Sequence, residues 1–289
     1  MSLWEGIVAP FRYPFMVRAL IAAVLVGGLS AVVGSYVVLR SMAFLGDAIA
    51  HSVLPGVAVG FLVSGRGDRR ALFWWALGTA LAVSFGIGWI SRQGRIKEET
   101  AIGIVFAGMF SLGIALISTV RGFAVDLVHF LFGNVLGVSP WDIAMIAGFG
   151  GAVILVVFLF YKEFLIVSFD PTLAATLRLP VSFYRYLLLS LIAVTVVVSL
   201  QTVGLALMLA MLITPATTGY LLARRLSGMM AIGSAIGVLS GIIGLYLSFY
   251  FGIASGAAIV LVAIGFFLIA LIVSPRRGLL HRLLRSEEG

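Results

Sequence analysis

At 289 residues, 62% hydrophobic and 10% charged, with a mean hydropathy of +1.20, the chain is far too apolar for an ordinary soluble domain. Its net charge of +8 rests almost wholly on arginine, since the only lysines are Lys97 and Lys162, and these basic residues sit in short loops, not in an aromatic-interleaved stripe. That argues for a positive-inside bias and against nucleic acid as a partner, and the absence of cysteine excludes a disulfide framework, a thiolate metal site and an iron–sulfur cluster.

A soluble chain of this length would divide into two domains. This one reads as a single all-α transmembrane unit over residues 1–289, because in lipid each segment must satisfy its own backbone hydrogen bonds. The 34 glycines fit, since small residues let membrane helices approach closely. No short apolar core with a small-residue cleavage site opens the sequence, so no removable signal peptide is expected.

Residues 1–18, with Trp4, Pro10, Arg12, Tyr13, Pro14 and Arg18, form an interfacial lead-in. Spans are expected at Ala19–Leu39, Phe44–Val63, Ala71–Ile90, Thr100–Val120 and Ile143–Tyr161. Between Arg121 and Trp141 the apolar pattern is interrupted by Asp126, His129, Gly133, Asn134 and Pro140, which suggests a short re-entrant piece. Lys162–Arg185 is the longest polar stretch. As one helix, Tyr186–Ala223 would reach roughly 57 Å at about 1.5 Å per residue, against a hydrocarbon core of about 30 Å. It is divided near Gln201-Thr202. Met229–Phe251 and Gly256–Val273 complete nine spans, with eight as the alternative. Basic residues then put Arg40, Arg92, Arg95, Lys97, Arg178, Arg185, Arg224, Arg225 and the Arg-rich tail in the cytoplasm and the N-terminus outside, although Arg12, Arg18, Arg66, Arg69 and Arg70 fall on the outer side.

The second span carries the chemistry. Asp47 and His51 are four residues apart, hence one turn apart on one helix face, and both are ligands for first-row divalent metals. Ionisable groups at membrane depth usually line a pathway or site. Gly46, Pro55 and Gly56 favour a broken helix here, tolerated where the segment lines a cavity. By residue chemistry alone, a metal contact and a buried pair that fixes packing are equally open. Asp126 and His129 (i,i+3) form a weaker candidate, more in keeping with an interfacial structural histidine. Glu98 and Glu99 suit the positive end of the fourth helix. Asp170-Pro171-Thr172-Leu173-Ala174-Ala175-Thr176-Leu177 reads as a short helix with an N-cap aspartate and proline at N1. No P-loop and no His-Glu-x-x-His motif occurs, so neither ATP hydrolysis nor an intramembrane zinc protease has sequence support.

Four blocks, in order over about residues 20–275, resemble the zinc/manganese-type permeases of ABC transporters: Val37–Gly56, Glu99–Phe110, Asp126–Asn134, and Gln201–Gly204 with Leu212–Ala216. The resemblance implies a type II importer permease fold in a bacterial cytoplasmic membrane. It implies a second copy of the chain, separate cytoplasmic ATPase subunits, an extracytoplasmic metal-binding receptor, and zinc or manganese (iron being a further option) as cargo, with no permanently bound cofactor. It matches Asp47 and His51 to the family's metal-contacting pair. The segment of about residues 169–180, with Asp170, Pro171, Leu173, Ala174 and Leu177, matches the coupling helix that docks into the ATPase. One departure is Gly252-Ile253-Ala254-Ser255-Gly256, where members often carry Asp-x-Pro-x-Gly. The rivals are an ion-coupled secondary metal transporter, which needs no coupling helix, and a permease for a metal chelate, which needs a wide apolar cavity without metal ligands.

Overall fold

The computed structural model describes residues 8–64, 69–92, 96–119 and 135–274, and among these every regular element is helical. In chain order they are α1 (Pro14–Leu39), α2 (Ala43–Ser52), α3 (Leu54–Ser64), α4 (Arg69–Arg92), α5 (Glu98–Ser118), α6 (Pro140–Leu159), α7 (Tyr161–Phe169), α8 (Pro171–Thr176), α9 (Val181–Val203), α10 (Leu205–Leu222), α11 (Leu226–Phe251) and α12 (Ser255–Val273). Nine of the described segments are long and apolar enough to cross a membrane, α2 and α3 counting together as Ala43–Ser64. The eight-span alternative is set aside.

Several boundaries move for local reasons. The division of the long apolar stretch lies at Gly204, not at Gln201-Thr202, because the backbone there takes φ +83°, ψ 169°, which glycine alone adopts freely. α1 begins at Pro14, whose missing N–H is harmless in a first turn, so Arg18 is already helical. α6 starts at Pro140, three residues before the expected point, behind a reciprocal capping box between Ser139 and Asp142. Residues 161–169 form helix α7 where the sequence suggested a polar connector. Inside α6, Ile146–Gly150 is a turn of π-helix.

Contacts between remote ends fix an antiparallel alternation. At one end Arg69 lies 3.8 Å from Asp142, and the Tyr13 ring meets Phe249 at 5.8 Å between centroids. At the other, Arg40 and Arg185 both reach Glu98, and the Ser274 hydroxyl donates to the Leu221 carbonyl at 2.8 Å. This second end therefore also carries α8, Arg178 and the Arg224-Arg225 turn.

Two groups of helices emerge. α1, α10, α11 and α12 pack extensively on one another. Their closeness is backbone to backbone: a Cβ on Gly27 would stand 2.7 Å from the Gly237 carbonyl carbon, and one on Gly34 would run into the Leu212 carbonyl oxygen. α2–α5 form the second group, and α9 joins it chiefly through α4. The groups meet where Leu212 of α10 packs on Gly46 of α2, a Cβ on which would stand 2.7 Å from the Leu212 side chain.

Candidate functional site

α2 ends at Ser52 and α3 starts at Leu54, with Val53 between them, so the second span is broken just beyond His51. Gly56 explains why the break closes tightly on α4: a Cβ there would sit 2.6 Å from the Trp75 carbonyl oxygen. The expected pair meets across one helical turn. His51 Nε2 stands 3.4 Å from Asp47 Oδ1, with the side chains 26% and 30% exposed. Two atoms bound at about 2.1 Å to one ion lie about 3.0 Å apart at a right angle and about 3.4 Å at the tetrahedral angle. The spacing thus suits a shared cation as well as a mutual contact.

Aromatic rings form one wall. The His51 imidazole meets Phe110 edge-on at 5.4 Å and Phe106 at 6.1 Å, while Phe44 meets Phe106 at 5.6 Å. His51 Nδ1 is buried without a hydrogen-bond partner among the described residues. The imidazole is therefore held by packing on one side and offers Nε2, beside Asp47, to the half-open side. No group of three His, Asp or Glu side chains gathers among the described residues, so the pair is an incomplete coordination set.

The weaker candidates Asp126 and His129 lie outside the described residues. The Asp170 segment forms as expected: its carboxylate accepts the Thr172 and Leu173 backbone N–H groups at 3.0 and 2.9 Å. Arg178 then adopts a left-handed conformation (φ +58°), and the Leu179 N–H returns to the Ala174 carbonyl at 3.0 Å, which stops the helix. Ala174 is buried, whereas Leu173 and Leu177, one turn apart, are 48% and 54% exposed. Two neighbouring leucines are thus left exposed at this end of the bundle.

Sequence reasoning missed a further cluster. Glu98 does begin α5, but its carboxylate also receives Arg40 at 3.1 Å and Arg185 at 3.0 Å, and Arg185 donates to Ser91 as well. Burial draws the Arg40 guanidinium below its ordinary pKa; Glu98 opposes that and Arg185 reinforces it. Acids at a helix start have a sufficient local reason, so nothing in the sequence advertised these long-range partners.

Residues 12–274 match the family described as the ABC 3 transport family. The chain belongs to that family. It is 47% identical over 280 residues to the manganese transport system membrane protein MntC of Listeria monocytogenes, covering 97% of each chain. It is 40% identical over 270 residues to the manganese import system permease protein ScaB of Streptococcus gordonii, covering 93% of this chain and 95% of that one. A solved structure described as PsaBC from Streptococcus pneumoniae in complex with Fab superposes with a TM-score of 0.82 at 38% identity, covering 99% and 100%. As an ABC 3 family member with nine apolar spans, this is a multi-pass protein of the cytoplasmic membrane. The altered Gly252–Gly256 turn, which joins α11 to α12 through a left-handed Gly252, lies within the matched region and leaves the fold intact.

Proposed function

We propose that this chain is the membrane permease of an ABC importer for a divalent metal, and that the metal is manganese. The observation that carries this is the Asp47/His51 pair: two ligand atoms 3.4 Å apart on partly exposed side chains just before the break of the second span, in a chain 47% and 40% identical to proteins named for manganese transport. Asp47 and His51 contact the ion in transit. Oxygen plus imidazole is a mixed set that manganese accepts and zinc or iron would too, so much of the selection falls to the receptor that delivers the ion. Two ligands per chain leave coordination unfinished, and a second copy facing the first supplies the other half. ATP is hydrolysed by separate cytoplasmic subunits, and Leu173 and Leu177 on α8 dock into them. A secondary transporter would have no use for that exposed pair.

Uptake measured metal by metal tests the reading. Cells deleted for this chain are expected to lose high-affinity manganese accumulation and regain it on restoration, with zinc and iron little changed. Restoration of zinc alone, or of none of the three, would overturn the assignment.

The end carrying α8, Arg178 and Arg224-Arg225 is cytoplasmic by the positive-inside rule. The chain has no cysteine, so a single Ser182→Cys reports cleanly. It is expected to resist an impermeant maleimide in intact cells and to react in inverted vesicles; labelling from outside would reverse the orientation.

A further inference from the structure

α5 covers the candidate pair and packs on α2, α3 and α4, yet few of its own side chains are buried. Phe106 and Phe110 wall His51, and Gly113 rides so close to the break that a Cβ there would come 2.7 Å from the Leu54 Cβ. Along the whole helix only Ala101, Ile102 and Gly113 are buried. Its first residue is fixed far more firmly. The Glu98 carboxylate lies between Arg40 and Arg185, and the three side chains are 21%, 11% and 22% exposed. At that burial a charge that loses its partner is costly, so the cluster favours being either made or fully rearranged.

The three residues come from two bodies. Arg185, on α9, also holds Ser91 at the end of α4, so it belongs with the helices around the site. Arg40 follows α1, the core of the glycine-knit group. The Arg40–Glu98 pair therefore crosses the seam between the two groups, while Arg185–Glu98 stays within one. Arg40 is also the less satisfied partner: its Nη1 is buried with no hydrogen bond among the described residues. Of the two ion pairs to Glu98, the Arg40 pair alone crosses the seam.

We propose that Glu98 is a positioning residue, a clasp that holds α5 over Asp47 and His51 while it grips Arg40, and that transport requires this grip to be released. The inference takes its meaning from the reading of Asp47/His51 as the metal path, but its deciding readout, a distance, involves no metal. In the full-length chain in lipid nanodiscs, spin labels on Glu99→Cys and Ser227→Cys report the distance across the seam. Glu98→Gln and Arg40→Gln are each expected to raise the share of a longer distance by about tenfold, a population shift of ordinary size for a two-state element. The double variant should go no further than Glu98→Gln, because that substitution already takes away the partner of Arg40. Manganese uptake should fall in all three, and His51→Ala should leave the distances unchanged. Unchanged distances in both single variants would overturn the clasp, whatever the fate of the metal assignment. Shifted distances alongside normal uptake in Asp47/His51 variants would keep the clasp and sink the metal path. Should neither Gln variant accumulate, Arg40→Lys retains the charge without the planar fork and is expected to give a partial shift. Failure of that variant to accumulate, or to shift, would make the cluster a structural staple and overturn the proposal.

Discussion

Asp47→Asn and His51→Ala are each expected to reduce manganese uptake by about tenfold or more, a barrier change of about 1.4 kcal/mol at the least, while the permease stays at normal abundance in the membrane. Neutralising Asp47 should ease insertion, because a carboxylate near the centre of a span costs about 2.5–3.5 kcal/mol on insertion scales. Loss of transport with unchanged or higher protein levels therefore points to the ion, not to folding. The double variant should be hardly worse than either single one, since two ligands of one ion act as a unit. Uptake assays beside quantitative membrane blots decide it. Folded protein vanishing together with transport would make the pair a packing device, and near-normal uptake by the double variant would remove it from the pathway.

Leu173→Asp is expected to uncouple the permease from its ATPase. Leu173 is about half exposed, so in the isolated chain the substitution touches little and should fall within about 0.5 kcal/mol of neutral. In a docked complex the same carboxylate would be buried without a partner, at a cost of several kcal/mol. The expected signature is a permease that reaches the membrane normally, recovers little ATPase on co-purification and imports little metal. Leu177→Asp, one turn further along the same face, should behave alike. Ala174→Asp should instead destabilise the permease itself, because Ala174 is already buried within the chain. Normal complex recovery from Leu173→Asp would reduce α8 to a connector.

The α8 face and the Asp47/His51 pair were both legible because their chemistry is local. An N-cap aspartate followed by proline predicts α8 from residues 170–171 alone, and the structure differs only in adding the left-handed stop at Arg178. Four-residue spacing fixes Asp47 and His51 on one face of whatever helix forms. The aromatic wall was less visible. Phe106 and Phe110 stood within a recognised block, but their contact with His51 depends on how α5 crosses the broken span, which no spacing within α5 encodes. Nothing in the local sequence signals that Asp142 is buried; it is 3% exposed and closes a capping box.

The sequence by itself determined the solvent, the placement of most spans and the pairing of Asp47 with His51 on one helix face. Each follows from composition over about 20 residues or from spacing within one turn, and neither depends on what else is nearby. Tertiary structure alone decided where the second span breaks, which helix roofs the pair and which charges meet. Arg40, Glu98 and Arg185 are separated by 58 and 87 residues, and each has an adequate local reason to be where it is. Only the packing of α1, α5 and α9 brings their charges within 3.1 Å. Between apolar helices that packing is set by where backbones can approach, at Gly27 against Gly237 and Gly34 against Leu212. Thirty-four glycines announce that close approach will happen somewhere; which of them meet is a property of the folded bundle, because lipid gives no apolar face a preference among its neighbours.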